Sequence, residues 1–534
     1  MKKIPKYFSV SMIVIFLLLS CEVGKFDSQE SPNYLIPENA DPEYLLNELQ
    51  NLFENFMSNI SLGTDDIMRY EAMTGTYGDV ADINALNTEW EKYYEALRIS
   101  RDIENQSLTN PNLILHNAIN KLLMGYLTIT MVDYVGNMPY KEASDPALYL
   151  NPKLDDGAEL YKMVLSDIDK AIIDINEATV NVSNDLFYGN DKAKWKAFAN
   201  SFKLKILIQT RLTSSSIGIT DLKSEINKLL NEDLIDTVTE DFVCSNAPVD
   251  EPESRHAYFT RAYVSGFSQY IGNYFMWMLK DSKSKKDPRI RYYLYRQSNK
   301  NPFGGKPSYL ACQGDLNVDY CYVGEQYWGL DQGESRTGRG DNLYRTVYGI
   351  YPGGGAFDED QFIEASKTTN LAGAGIFPVL TTSYLKFLLA ESALKLDIYG
   401  DPAVLLEEGI RASMDKVLSF GNVTSTMAAT QSDVDSYVAE VLMGFNTAAT
   451  DEEKLDIIIT EYYLATYGNS IEAYNAYRRT GYPSNIQIPI DDDNPTFPRS
   501  FYYSNNAVIN NMSISQKKIT DKVFWDINPD YFIK

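Results

Sequence analysis

Chemistry needs groups that give or take protons, attack carbon or phosphorus, or ligate metals, and this chain holds few such groups in usable patterns. Only two histidines, His116 and His256, occur in 534 residues. His116 falls in an apolar stretch, where a hydrogen-bonded core residue is expected, and His256 in a loop-like one. No HExxH, GxSxG, phosphate-loop or dinucleotide fingerprint is present. Asp315-x-Asn317-x-Asp319 opens like a calcium loop, yet Tyr320 stands where glycine is required and Gln326 where the closing glutamate belongs. The EF-hand pattern therefore fails, and a loop calcium ion is the only cofactor the chain suggests. Arg339-Gly340-Asp341 reads as turn chemistry. A carboxylate pair for glycoside hydrolysis is defined by separation in space, and nothing among the 73 acidic residues singles one out. A binding protein rather than an enzyme is expected.

The aromatic residues are the stronger signal. They make up 13% of the chain, with 39 tyrosines. A tyrosine ring is apolar with a polar tip, which suits recognition surfaces as well as helix packing. Four are candidates for ligand contact. Tyr77 lies in the loop from Tyr70 to Ala85. Tyr327 and Trp328 stand in a Gly-rich, acid-flanked stretch where a large aromatic has few core neighbours to satisfy. Trp277 is the fourth, in an apolar helical stretch where core packing competes with ligand contact. Gly324, Gly329 and Gly333 would let the backbone approach a ligand closely.

These residues need a scaffold, and the patterning predicts one built of helices. Its centre is Asn110 to Val135: Asn110 as N-cap, Pro111 at the first helical position, then apolar residues on nearly every face. Gly136-Asn137 and Pro139 should end it. Helical spacing also marks Pro42–Ser58, a helix capped by Thr88 with Glu91, one begun by Asp155 or Asp156, and Ala193–Thr213. Thr381–Asp397, Pro402–Phe420, Ser432–Phe445 and Asp451–Tyr467 follow in the last third. Successive amphipathic helices on short turns resemble tetratricopeptide pairs. Between Asp241 and Phe377 the chain is rich in Gly, Asn, Ser, Asp and Tyr, with one clear helix expected over Ser265–Asp281. The fold expected is mainly α, a helical-pair scaffold over about 42–240 and 378–534 with a loop-rich insert over about 241–377.

The first twenty residues carry Lys2, Lys3 and Lys6 and then an apolar run from Phe8 to Leu19, too short to span a bilayer comfortably. Leu18-Leu19-Ser20-Cys21 resembles a bacterial lipobox, which implies a signal peptide over 1–20, diacylation of Cys21, and a polar tether over 21–41. The lipid would be the only membrane attachment. A formal charge of −25 excludes a nucleic-acid partner, whose phosphates need a basic face. Of the remaining cysteines, Cys244, Cys312 and Cys321, an odd number argues against a disulfide framework. Cys312 and Cys321 either pair across a hairpin or remain buried thiols.

Six stretches in order resemble the SusD/RagB family of outer-membrane nutrient-binding lipoproteins. They are MVDYVGNMPYKEA from Met131, WKAFANSFKLKILIQTR from Trp195, DPRIRYYL from Asp287 and PVLTTSYLKFLLAESALK from Pro378, then ITEYYLATYGNSIEAYNAYRRTGYP from Ile459 and FPRSFYYSNNAVINN with DKVFWD. Asn137, Lys386, Tyr474, Tyr503 and Asn505 depart from the usual residues. The resemblance implies a tetratricopeptide-like fold and a surface-exposed lipoprotein that captures oligosaccharide, or in some members peptide, for a TonB-dependent (SusC-like) transporter. The paired arginines Arg478 and Arg479, beside Tyr477 and Tyr482, favour cation–π or ion-pair roles over ligand contact.

Overall fold

A computed structural model describes residues 40–143, 145, 147–300, 312, 316, 318–334, 341–369, 371–490, 496–530 and 533. Cys21, the signal peptide and nearly all of the tether lie outside the described residues, as do Asp315, Asn317, Arg339 and Gly340.

The architecture is mainly helical. In chain order its principal helices are α1 (Pro42–Asp65), α2 (Asn87–Ser107), α3 (Ile114–Val135), α4 (Gly157–Glu177), α5 (Lys192–Gln209), α6 (Asn273–Lys280), α7 (Thr382–Leu396), α8 (Pro402–Ser419), α9 (Gln431–Thr447), α10 (Asp451–Ala465) and α11 (Ser470–Thr480). Short strands pair antiparallel in two ribbons, β1 (Phe242–Ser245) with β4 (Ile376–Leu380) and β2 (Leu294–Arg296) with β3 (Thr346–Tyr348).

α3 is the central rod. Every residue from Leu115 to Val135 except Lys121 is buried, and α1, α2 and α4 pack around it. Asn110 accepts from the Asn112 N–H at 3.1 Å, and Pro111 opens a single 3₁₀ turn that leads into the helix. Gly136, at φ 76°, ends it. The small side of Gly125 lets α4 come close: a Cβ there would lie 3.1 Å from Val164 Cγ1. In the last third, α7 packs on α8, α10 and α5.

Two local expectations are corrected. α2 begins at Asn87 with Leu86 as N-cap, so Thr88 is not the cap. The helix expected over Ser265–Asp281 is confined to α6, because Ile271 and Gly272 are extended and bridge Glu71 and Leu330. Gly272 makes that approach possible, since a Cβ would sit 2.2 Å from the Arg69 carbonyl oxygen.

The family-like blocks meet inside the fold. Asp133 of α3 accepts from Tyr161, from Asn475 Nδ2 at 2.7 Å and from Trp525 Nε1 at 2.8 Å. Arg478 lies over the Tyr474 and Trp525 rings at 3.8 and 4.6 Å and donates to the carbonyls of Asp133 and Arg499. Arg479 and Arg211 converge on Glu391, with Arg479 Nη2 at 2.7 Å. Burial pushes the Glu391 carboxyl up, but the two guanidiniums outweigh it and hold it down at about 2. These residues tie helices distant in sequence to one another.

Candidate ligand-binding site

Three segments far apart in the chain converge at one end of the scaffold: the loop after α1, the insert around α6, and the turn after α11. Arg69 joins them, donating from Nε and Nη2 to the Gln487 carbonyl at 3.0 and 2.6 Å and from Nη2 to the Tyr77 hydroxyl at 2.5 Å. Gln487 Nε2 in turn donates to Asp319 at 2.9 Å and Asp331 at 2.9 Å.

Three of the four candidate aromatics lie inside this junction. Tyr77 is 1% exposed, edge-on to Phe497 at 5.4 Å. Tyr327 is 3% exposed beneath the Arg296 guanidinium at 4.7 Å. Trp328 is 4% exposed; its indole N–H donates to Asp341 Oδ2 at 3.0 Å and its ring packs beside Cys312 and Tyr344. The expectation that Trp328 lacks core neighbours is therefore overturned, because a satellite apolar cluster forms around it. Two of the three glycines serve backbone packing. A Cβ at Gly329 would lie 2.2 Å from the Ile271 carbonyl oxygen, and one at Gly333 2.7 Å from Pro489.

Trp277 is different. It is half-buried, and its ring lies 5.6 Å from Tyr320 at 34° and 6.4 Å from Tyr274 at 33°. Tyr274 is buried beneath them, so Trp277 and Tyr320 present the apolar face. Polar groups border it: Asp319 is exposed, and Tyr274 donates its hydroxyl to Asn485 at 3.1 Å. An apolar face edged by a carboxylate and amides is the pattern a sugar ring demands, with C–H faces to stack and hydroxyls to bond. Burial pushes the Tyr320 phenol up to about 12, so it stays a neutral donor. Sequence reasoning missed Tyr320, Asp319, Asn485 and Gln487. In the sequence Tyr320 stands out only as the residue that spoils a calcium loop, although an aromatic in an acid-rich loop is the available signal. A disulfide between Cys312 and Cys321, Cα atoms 5.6 Å apart, closes the loop that carries Tyr320.

Behind this face lies an acidic cluster. Asp65 accepts from the Tyr258 hydroxyl at 2.8 Å, and Glu71 is held at both oxygens by Arg261 at 3.0 and 3.1 Å. Burial raises Asp65 to about 7 and Asp66 to about 6, and lifts Glu71 well above the usual range, against the pull of Arg261. Asp66 also lines a 380 Å³ cleft with Thr74, Asp79 and Glu89. Among the described residues no three His, Cys, Asp or Glu side chains are grouped to hold a metal ion. Nor is any helix among them long and apolar enough to cross a membrane.

Residues 33–504 match the family model SusD-like, described as starch-binding and associating with outer membrane. No curated protein sequence matches the chain. Among solved structures, a SusD homologue from Bacteroides fragilis is 19% identical with a TM-score of 0.65, over 88% of this chain and 94% of its own. A chitin-binding SusD homologue from Flavobacterium johnsoniae is 18% identical with a TM-score of 0.64, over 91% and 99%. A SusD homologue from Bacteroides uniformis gives 18% and 0.65, over 91% and 99%. At such identities these likenesses speak to the fold. The family match covers most of the chain and agrees with the helical scaffold, the buried blocks that tie it together and the loop-rich insert; this chain belongs to the SusD-like family.

Proposed function

We propose that the protein is a surface lipoprotein that captures nutrient oligosaccharide at the outer membrane and passes it to a TonB-dependent transporter. The observation that carries the reading is the Trp277–Tyr320 face with Asp319 and Asn485 at its edge, in a chain of a family described as starch-binding. The naming of one similar structure as chitin-binding supports the same ligand class. Diacylated Cys21 would be the anchor, with the tether to residue 41 giving reach. A protein that hands cargo onward must also release it. Affinities between micromolar and millimolar follow, roughly −8 to −4 kcal/mol.

Calorimetry with maltoheptaose, chitohexaose and extended peptides tests the reading. Saturable binding of a glycan is expected, with no sugar released on incubation with polysaccharide. Silence toward every glycan with binding of peptide would transfer the function to peptide uptake, and release of product would replace the binder with an enzyme. A Cys21→Ala variant should leave the membrane fraction in cells that lack the transporter.

A further inference from the structure

A large cleft beside the insert lies apart from the aromatic face above. A groove of 720 Å³ runs along the outer face of α1, between Gln50–Asn59 and the segment from the end of β1 to Thr260. It shares no residue with the Trp277–Tyr320 face. Its floor is a row of amides: Asn51, Asn55 and Asn59 lie four residues apart, so about 6 Å separates each from the next along the helix. Asn55 Nδ2 donates to the Asn51 carbonyl at 2.9 Å, whereas the side-chain amides of Asn51 and Asn59 take no partner among the described residues.

The opposite wall is Ser245, Asn246 and Ser254. Asn246 Nδ2 donates to Glu54 Oε1 at 3.1 Å, which fixes the amide's orientation. Its Oδ1, shielded from solvent, has no hydrogen-bond partner among the described residues. Leu186 and Phe187 give the groove an apolar patch, and Arg255 is paired with Glu253 at 2.6 Å. Apart from Glu54, its polar lining is amide, hydroxyl or self-neutralised charge, set beside apolar Leu186, Phe187, Ala247 and Pro252, in a chain of net charge −25.

We infer that this groove is a second glycan site, which takes a stretch of uncharged sugar chain lying along α1. Amides both donate and accept, as sugar hydroxyls do, and a row of them meets successive units of one chain. The lack of an unpaired cation among its lining residues disfavours an anionic ligand. The inference rests on the glycan reading of the protein. Two sites on one chain would raise the apparent affinity for long polymers above that for short fragments, since the second contact is intramolecular.

The test is the stoichiometry of maltoheptaose and chitohexaose binding by calorimetry. The intact protein is expected to bind the better of the two at two sites. A triple Asn51→Ala, Asn55→Ala, Asn59→Ala variant should retain one site and its thermal midpoint, because alanine favours the helix, while the groove's affinity falls at least tenfold. Ser245→Phe, at an exposed wall position, should block the groove without touching α1. Trp277→Ala should remove the other site and spare this one. A single site in the intact protein, abolished by Trp277→Ala and untouched by both groove variants, would overturn the second site and leave the glycan function standing. Absence of any glycan binding would overturn both.

Discussion

Trp328→Ala separates a buried ring from a ligand platform. The indole is 4% exposed and packs against Cys312, with Tyr322 and Tyr344 around it. Truncating a buried tryptophan costs about 3–5 kcal/mol through lost transfer energy and the cavity left behind. The indole N–H is also a donor to Asp341 Oδ2. Asp341 Oδ1 keeps Tyr270 at 2.9 Å and Arg345 Nε at 3.0 Å, so the carboxylate stays largely satisfied and the hydrogen bond adds about 1 kcal/mol. Because the ring sits in a small satellite cluster, the packing loss falls in the lower half of that range, about 3–4 kcal/mol, and with the hydrogen bond the total is about 4–5 kcal/mol. Trp328→Phe keeps most of the apolar contact, loses the donor, and should cost about 1–2 kcal/mol. Urea denaturation reads both, as a lower midpoint at unchanged slope, with glycan affinity held within a few-fold. A drop in affinity of tenfold or more at an unmoved midpoint would refute the reasoning, since it would mean that the ring meets ligand and not protein.

Trp277→Ala and Tyr320→Ala should do the reverse: each weakens glycan binding about ten- to hundredfold, by analogy with the roughly 1–3 kcal/mol of aromatic stacking on bases, with little change in midpoint. Glu391→Gln leaves Arg211 and Arg479 buried without their shared anion and should cost about 3–5 kcal/mol in the same denaturation assay. Glu391 is held at about 2 against an ordinary 4.5, so its stabilisation is full above pH 4.5 and is lost as pH falls toward 2. Asp65 and Asp66 act with the opposite sign. Raised to about 7 and about 6 from an ordinary 3.8, they hold protons that the unfolded chain gives up. Their contribution is complete below about pH 4 and is lost as pH rises to 7; denaturation of Asp65→Asn between pH 5 and 8 should show a flatter profile than the parent, and an unchanged slope would sink that assignment.

Much of the scaffold was legible because helices are local. Asn110-Pro111 caps the 3₁₀ turn that leads into α3 and Asp156 caps α4, and each side chain accepts a backbone N–H two residues on. The pairing of α7 with α8 follows from apolar faces joined by a connection too short to go elsewhere, whereas α3 and α4 pack together across a long connection. The arginine pair was also readable: Arg478 and Arg479 sit near aromatics at a helix end, and both are buried in cation–π and ion-pair contacts. Thr88 failed as a cap because the chain turns into α2 one residue before it. Ser265–Asp281 failed as a single helix because Gly272 is used for a backbone approach to Arg69, a contact 203 positions of chain away in neither pattern nor period.

The amino-acid sequence by itself determined the acidic charge, the helical periodicity and the family-like blocks, since each is carried by neighbouring residues or by composition. Only tertiary structure decided which aromatics face outward. Tyr77, Tyr327 and Trp328 are covered by Arg69, Arg296 and Asp341, and Trp277 meets Tyr320 across 43 positions of chain. Burial is the sum of contacts from segments that the local pattern does not connect, so a Gly-rich loop that reads as open can fold its tryptophan inward while a tyrosine that merely spoils a motif becomes part of the exposed face.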